Sequence, residues 1–184
     1  MIEYKVIYSR RKTLSLSIDR PGDIIVRSPY YVPVKEIRSF VEKNSDWIEN
    51  KLAKLENIRE SADAAGHYSE EELKAISKRA AEIIPERVEF YAKTLGVSYG
   101  RITIRCQKSR WGSCSSKGNL NFNCLLAEMP PEVLDSVVVH ELCHRIEMNH
   151  SPSFYNLVYS IYPDYDRWDK WLKENGKIYM QRVF

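Results

Sequence analysis

The segment from Pro130 to His144 constrains the rest of the chain most. Pro130-Pro131-Glu132 opens a helix, and Val133, Leu134, Val137, Val138 and Val139 surround that helix almost completely. A helix that is apolar all round has to be buried. Other elements must therefore cover it, and 184 residues suffice for such a core without a disulfide framework or a structural metal. The same helix runs straight into His140-Glu141-Leu142-Cys143-His144. Two imidazoles and a carboxylate in an apolar helix need partners to offset their desolvation. Residues four apart stand one turn above each other, so His140 and His144 project from one face and can hold one ion together. Glu141 is rotated by about 100° from His140. It stands beside that ion rather than on its ligand axis, where a general base for a metal-activated water belongs.

A catalytic zinc site takes three protein ligands and leaves one position open. His150, six residues beyond His144, is the expected third ligand. On one continuous helix it would point about 240° away from His144, so the chain has to turn before it. Asn149 can adopt the left-handed conformation that ends helices, and Ser151-Pro152 reads as the cap and first position of a new helix. A break at 148–151 is therefore expected. Glu147 competes for the ligand role, since it lies seven residues after His140, but it fits better as a supporting or exposed carboxylate. Glu141-x-x-His144 also has the spacing used in di-iron bundles, a reading that needs a second such pair on another helix, and the other alternative is a non-catalytic metal-binding protein that binds peptide or protein partners.

Composition narrows the surroundings of this centre. The chain carries 28 Lys and Arg against 25 Asp and Glu, a net charge of +3, too balanced to argue for a nucleic-acid partner. No uncharged apolar run approaches the roughly 18 residues of a membrane span, and the N-terminus shows no apolar core of a signal peptide. Cys106, Cys114, Cys124 and Cys143 are widely spaced, with no Cys-x-x-Cys pair. They read as thiols of a reducing cytoplasm rather than as a metal site.

Around the metal motif the chain alternates strands and helices. Residues 4–8 and 14–18 read as strands joined in a hairpin with the basic tip Arg10-Arg11-Lys12, which is expected to be solvated. Pro21-Gly22-Asp23 signals a turn before a third strand at 24–26. One helix starting at Pro33 is expected to bury Ile37, Phe40, Val41, Trp47, Ile48, Leu52 and Leu55. Residues 57–68 lose that periodicity and read as a linker holding an uninvolved His67. A second helix ends at Gly96, with Pro85 expected to kink or split it. Strands follow at 101–106 and 119–123, and a C-terminal helix with Trp168, Trp171 and Leu172, closed by Asn175-Gly176, covers the core. The expected organisation is 1–60 as strands plus helix, packed as part of one unit, and 69–184 as the core that carries the site.

Four stretches, Arg110-Trp111-Gly112-Ser113-Cys114-Ser115, Asn119 to Asn123, Val137 to His144 and Asn149 to Phe154, resemble in order the YgjP-like (DUF45) family of zinc metallopeptidases. That family is related to SprT-like and M48-type peptidases. The spacing is also similar to that of metzincins, but Glu147 stands where their glycine would be. The resemblance implies an α+β, zincin-like domain with an N-terminal β-rich segment, a small antiparallel sheet and a buried active-site helix. It implies Zn2+ on His140, His144 and His150, with Glu141 as the catalytic carboxylate. A peptidase holds an extended peptide or unfolded protein beside the metal, and an exposed sheet edge does so by strand addition. The strands at 101–106 and 119–123 could supply the edge, with Arg110, Ser113, Asn121 and Asn123 as candidates to orient substrate. Tyr155, Tyr159 and Tyr162 are candidates for a donor to the oxyanion.

Overall fold

The computed structural model describes residues 2–20 and 22–183. The chain divides into two compact units, Met1–Ala64 and Ala65–Phe184. The first holds strands β1 (Lys5–Ser9), β2 (Ser15–Ile18) and β3 (Ile24–Pro29), then helices α1 (Val34–Lys43) and α2 (Ser45–Ala65). The expected hairpin of β1 with β2 does not form. The sheet order is β1-β3-β2, with β1 parallel and β2 antiparallel to β3. The reason is burial: Ile24, Val26, Ser28 and Pro29 of β3 are all buried, which suits a strand paired on both sides, while β1 keeps only half-buried and exposed residues. Gly22 has φ of 80° and Asp23 N–H bonds Arg20 O at the expected turn; Pro21 lies outside the described residues.

The single helix expected after Pro33 is two. Asn44 separates them, its side-chain amide donating to Phe40 O at 2.7 Å and so competing with the helical ladder. Ile37, Val41, Ile48 and Leu55 are buried with Ile18, Ile24 and Val26, but Trp47 is 46% exposed and is not core. Residues 57–65 continue α2 rather than forming a linker.

In the second unit α3 (Glu70–Leu95) starts on a capping box between Ser69 and Glu72 and ends at Gly96 with φ of 67°. It runs unbroken through Pro85. Strands β4 (Ile102–Arg105), β5 (Gly112–Cys114) and β6 (Leu120–Asn123) follow, then a 3₁₀ turn (Cys124–Glu128) and helices α4 (Pro131–Cys143), α5 (Pro152–Ile161) and α6 (Tyr165–Gln181). The sheet is mixed rather than antiparallel, in the order β4-β6-β5, with β4 parallel and β5 antiparallel to β6. Again the central strand is the most buried one, through Leu120 and Phe122.

Helix α4 is covered as its composition demands, packing against α3, α5, α6 and β5. Arg87 of α3 grips Asp135 of α4 with two hydrogen bonds of 2.6 Å, and Tyr91 Oη adds a third at 3.1 Å. Gly176 does not close α6 but sits buried inside it. A Cβ there would lie 2.8 Å from Trp111 Cζ2, so the glycine is a seat for the indole ring. Among the described residues no helix is long and apolar enough to cross a membrane. All four cysteines are free thiols.

Candidate metal centre

Helix α4 brings His140 and His144 onto one face, their ring centroids 4.9 Å apart. The helix ends at Cys143, earlier than the expected break at 148–151. Arg145 and Ile146 close the last turn on Leu142 O and Cys143 O. Asn149 is not left-handed, since no described residue other than glycine has positive φ. The turn needs no such residue because five positions, 145–149, are available to reverse direction. Ser151 then caps α5 as expected, accepting from Phe154 N–H at 3.3 Å with Pro152 in the first position.

This turn carries His150 back to the other two imidazoles. One ligand atom from each of His140, His144 and His150 lies within 4.8 Å of the others, and His150 Nε2 approaches His140 Nε2 to 3.0 Å. Zinc–imidazole bonds of about 2.0–2.1 Å at tetrahedral angles separate such nitrogens by roughly 3.3 Å, so the three rings fit one ion. Glu147 enters the site through its backbone: its carbonyl oxygen accepts from His144 Nδ1–H at 3.0 Å, leaving Nε2 for a ligand. Glu147-x-x-His150 repeats the carboxylate–histidine spacing, but on the turn rather than on a helix, so no di-iron bundle is built.

Two aromatic residues that the sequence did not single out hold the rings. Tyr165 Oη lies 2.8 Å from His140 Nδ1, so the nitrogen facing the other histidines is Nε2. Phe154, wholly buried, stacks on His144 at 4.5 Å and meets His140 and His150 edge to face at 4.9 and 5.0 Å. Tyr165 lies 25 residues from His140 on a separate helix, and no local signal in the sequence marks it. Phe154 enters the sequence reading only as the end of the Asn149 to Phe154 stretch that resembles the family, with no role given to it.

Burial sets the charges. Desolvation, then the fields of His144, His150 and Lys173, pushes the His140 pKa down to about 3, and desolvation lowers that of His144 as well. Both are neutral near pH 7, as ligands must be. Desolvation pushes Glu141 up to about 8, against the opposing pull of the Cys114 backbone and the Arg110 charge. Strand β5 passes so close to this carboxylate that a Cβ on Gly112 would stand 2.6 Å from Glu141 Oε1.

A cavity of about 240 Å³ opens beside Glu141, lined by Ser109, Arg110, Trp111, Gly112, Ser136, Val137, His140, Tyr165, Asp169 and Leu172. Of the four residues expected to orient substrate, Arg110 alone lines it. Ser113 and Asn121 bond each other at 3.2 Å. Asn123 is buried, its amide donating to Gln107 O and Arg110 O, and so shapes the loop that carries Arg110. Tyr159 Oη donates to Asp166 and Tyr162 Oη to Glu132 O, whereas the Tyr155 ring stands 6.2 Å from that of His150. The expected edge also moves. Strand β6 is paired on both sides, so β5 is the edge beside α4. Trp111 O and Ser115 N–H bond toward β6, and the antiparallel alternation therefore turns the backbone groups of Gly112 and Cys114 outward.

No curated protein matches the chain. Two solved structures are similar to part of it. The metallopeptidase zymogen jannalysin of Methanocaldococcus jannaschii is 24% identical, covering 49% of this chain and 93% of its own, with a TM-score of 0.45. The metallopeptidase zymogen abylysin of Pyrococcus abyssi is 20% identical, covering 52% of this chain and 97% of its own, with a TM-score of 0.46. The family model of the YgjP-like metallopeptidase domain matches residues 12–74 and 67–175. These two stretches take in most of the sequence, the whole histidine cluster and Glu141 included, and the chain belongs to the YgjP-like metallopeptidase family.

Proposed function

We propose that the protein hydrolyses peptide bonds with zinc held by His140, His144 and His150 and with Glu141 as general base. The observation that carries this reading is the convergence of three imidazoles on one point beside a buried carboxylate that faces a cavity. Three imidazole ligands with one position left open suit zinc. When bound, the ion supplies Lewis acidity and brings the pKa of a water near 7.

The chain's own groups do the rest. Tyr165 Oη and Glu147 O fix His140 and His144 in the tautomer that turns Nε2 inward. Glu141 takes a proton from the attacking water and passes it to the leaving nitrogen. Its raised pKa suits a group that must hold and release that proton near neutral pH. The outward backbone groups of Gly112 offer a strand edge to an extended segment. Unfolded or flexible polypeptide is the substrate this geometry favours, because folded proteins keep their backbone donors and acceptors in their own ladders. The four free thiols fit a cytoplasmic site of action.

The test is metal content and peptide cleavage in two variants. Glu141→Gln cannot accept a proton at neutral pH. It should keep its zinc and lose activity by about 100-fold or more. His150→Ala should weaken zinc binding at least about 10–100-fold. Normal turnover in zinc-loaded Glu141→Gln would remove the general base from the mechanism.

A further inference from the structure

Resting on the peptidase reading above, we propose that the cavity beside Glu141 receives the residue whose nitrogen leaves, and that Arg110 selects there for a carboxylate. The carboxylate comes either from an acidic side chain or from the C-terminus of the substrate itself.

The side of the cut follows from proton transfer. Glu141 must reach the departing nitrogen, so the residue that owns this nitrogen lies on the Glu141 side of the histidine cluster. The cavity opens on that side. It is walled by Val137 and Ser136, which precede His140 on α4, and by Trp111 and Leu172, while His144 and His150 do not line it. About 240 Å³ admits one side chain.

The charges define which one. Arg110 stands exposed on the cavity wall, and its charge acts on Glu141. Among the described residues no carboxylate forms a salt bridge with it. Asp169 also lines the cavity, but its carboxylate is already paired, accepting from Lys173 Nζ one turn on. Tyr165 Oη is occupied with His140 Nδ1 at 2.8 Å. Glu141 is committed to the proton transfer. One cation thus remains without a partner, above an apolar stem pocket formed by Trp111, Val137 and Leu172. A guanidinium fork matches a carboxylate in two parallel hydrogen bonds, so a glutamyl residue, or a terminal residue with its free carboxylate, completes this wall.

The test uses the zinc-loaded full chain and peptides that differ only in the residue after the cut: Glu, Gln, Lys or Leu. A second pair ends one residue after the cut, with a free or an amidated C-terminus. A hydrogen bond to a charged group predicts at least about a tenfold preference in kcat/KM for the carboxylate member of a pair. A preference within the first set assigns the acidic side chain, and one within the second assigns the C-terminus. Arg110→Gln should erase the preference, Arg110→Lys should retain part of it, and Arg110→Glu should turn it toward Lys. The same peptides are also titrated against zinc-loaded Glu141→Gln by fluorescence anisotropy. Selective binding there without turnover in the parent protein would sink the peptidase reading and leave the subsite standing. Turnover with carboxylate and neutral peptides cut equally would sink the subsite and leave the peptidase.

Discussion

Glu141 is 6% exposed and shares its space with the backbone of Gly112, where an added Cβ would fall 2.6–2.9 Å from Oε1, Cγ and Cδ of the glutamate side chain. That crowding makes Gly112→Ala a sharper probe of position than a change of Glu141 itself. The methyl forces the carboxylate aside while leaving the three imidazoles in place. Displacement by about 1 Å can cost on the order of 100-fold in rate, so the variant should keep its metal and lose about that much activity. Full activity would mean that Glu141 can move without consequence. The carboxylate also leaves a signature in stability. Its folded pKa of about 8 lies above the ordinary 4.5, so the folded state keeps a proton that the unfolded chain gives up. The stability tied to that proton is present below pH 4.5 and is lost as pH rises through 8. His140 acts in the other direction: with its pKa lowered to about 3, it destabilises the fold as pH falls from 6.5 toward 3. In metal-free protein, Glu141→Gln should remove the first trend and leave the second. Its urea midpoint should match the parent at pH 4.5 and exceed it at pH 8, by roughly 2–5 kcal/mol in free energy. Identical pH slopes for the two proteins would place the proton elsewhere.

Helix α6 shows how an element is placed by a contact that leaves little local trace. Asn175-Gly176 has the composition of a helix stop, yet the helix continues to Gln181 because Gly176 meets Trp111 where any side chain would collide. The ladder survives a buried glycine, at a helix cost of about 1 kcal/mol, since the indole packs into the groove. Gly176→Ala should raise helix propensity and still lower Tm. The added methyl would meet Trp111 at 2.8 Å and Leu172 at 3.0 Å, and overpacking of this kind typically costs about 1–3 kcal/mol. A higher Tm would show that Trp111 can retreat. The same contrast explains what was readable from sequence. The His140–His144 pair, the Ser151-Pro152 start and the Gly96 stop depend on neighbours within one or two turns, and they were legible. Strand order was not. The pairing of β1 with β3, or of β4 with β6, depends on which strand is buried on both faces, a property of the assembled sheet. Tyr165 at His140 Nδ1 and Trp111 on Gly176 join residues 25 and 65 positions apart, beyond the reach of periodicity.

Over the whole molecule the histidine cluster and the bulk of the core are unevenly shared. His140, His144 and His150 all belong to the 65–184 unit. That unit has its own apolar cluster, which includes Ile84, Val88, Phe122, Leu125, Val138, Leu142 and Phe154. The 1–64 unit has a separate cluster around Val26, Ile37, Val41 and Ile48. An ion bound only by the native site stabilises whatever unfolds with that site, in proportion to the logarithm of its excess over Kd. With that many buried apolar side chains the larger unit folds without metal, so chelation should loosen it rather than unfold it. The loosening should be greatest where a turn delivers His150, from Arg145 to Ser151, because an ion shared by three imidazoles would tie that turn to α4 more firmly than the 3.0 Å contact of His150 Nε2 with His140 Nε2 does alone. Amide hydrogen exchange with and without chelator measures this directly. Protection should fall in segments covering residues 140–165 and stay unchanged in β2, β3 and α1. A uniform loss across all 184 residues would mean that the two clusters unfold as one cooperative body and that the metal holds both.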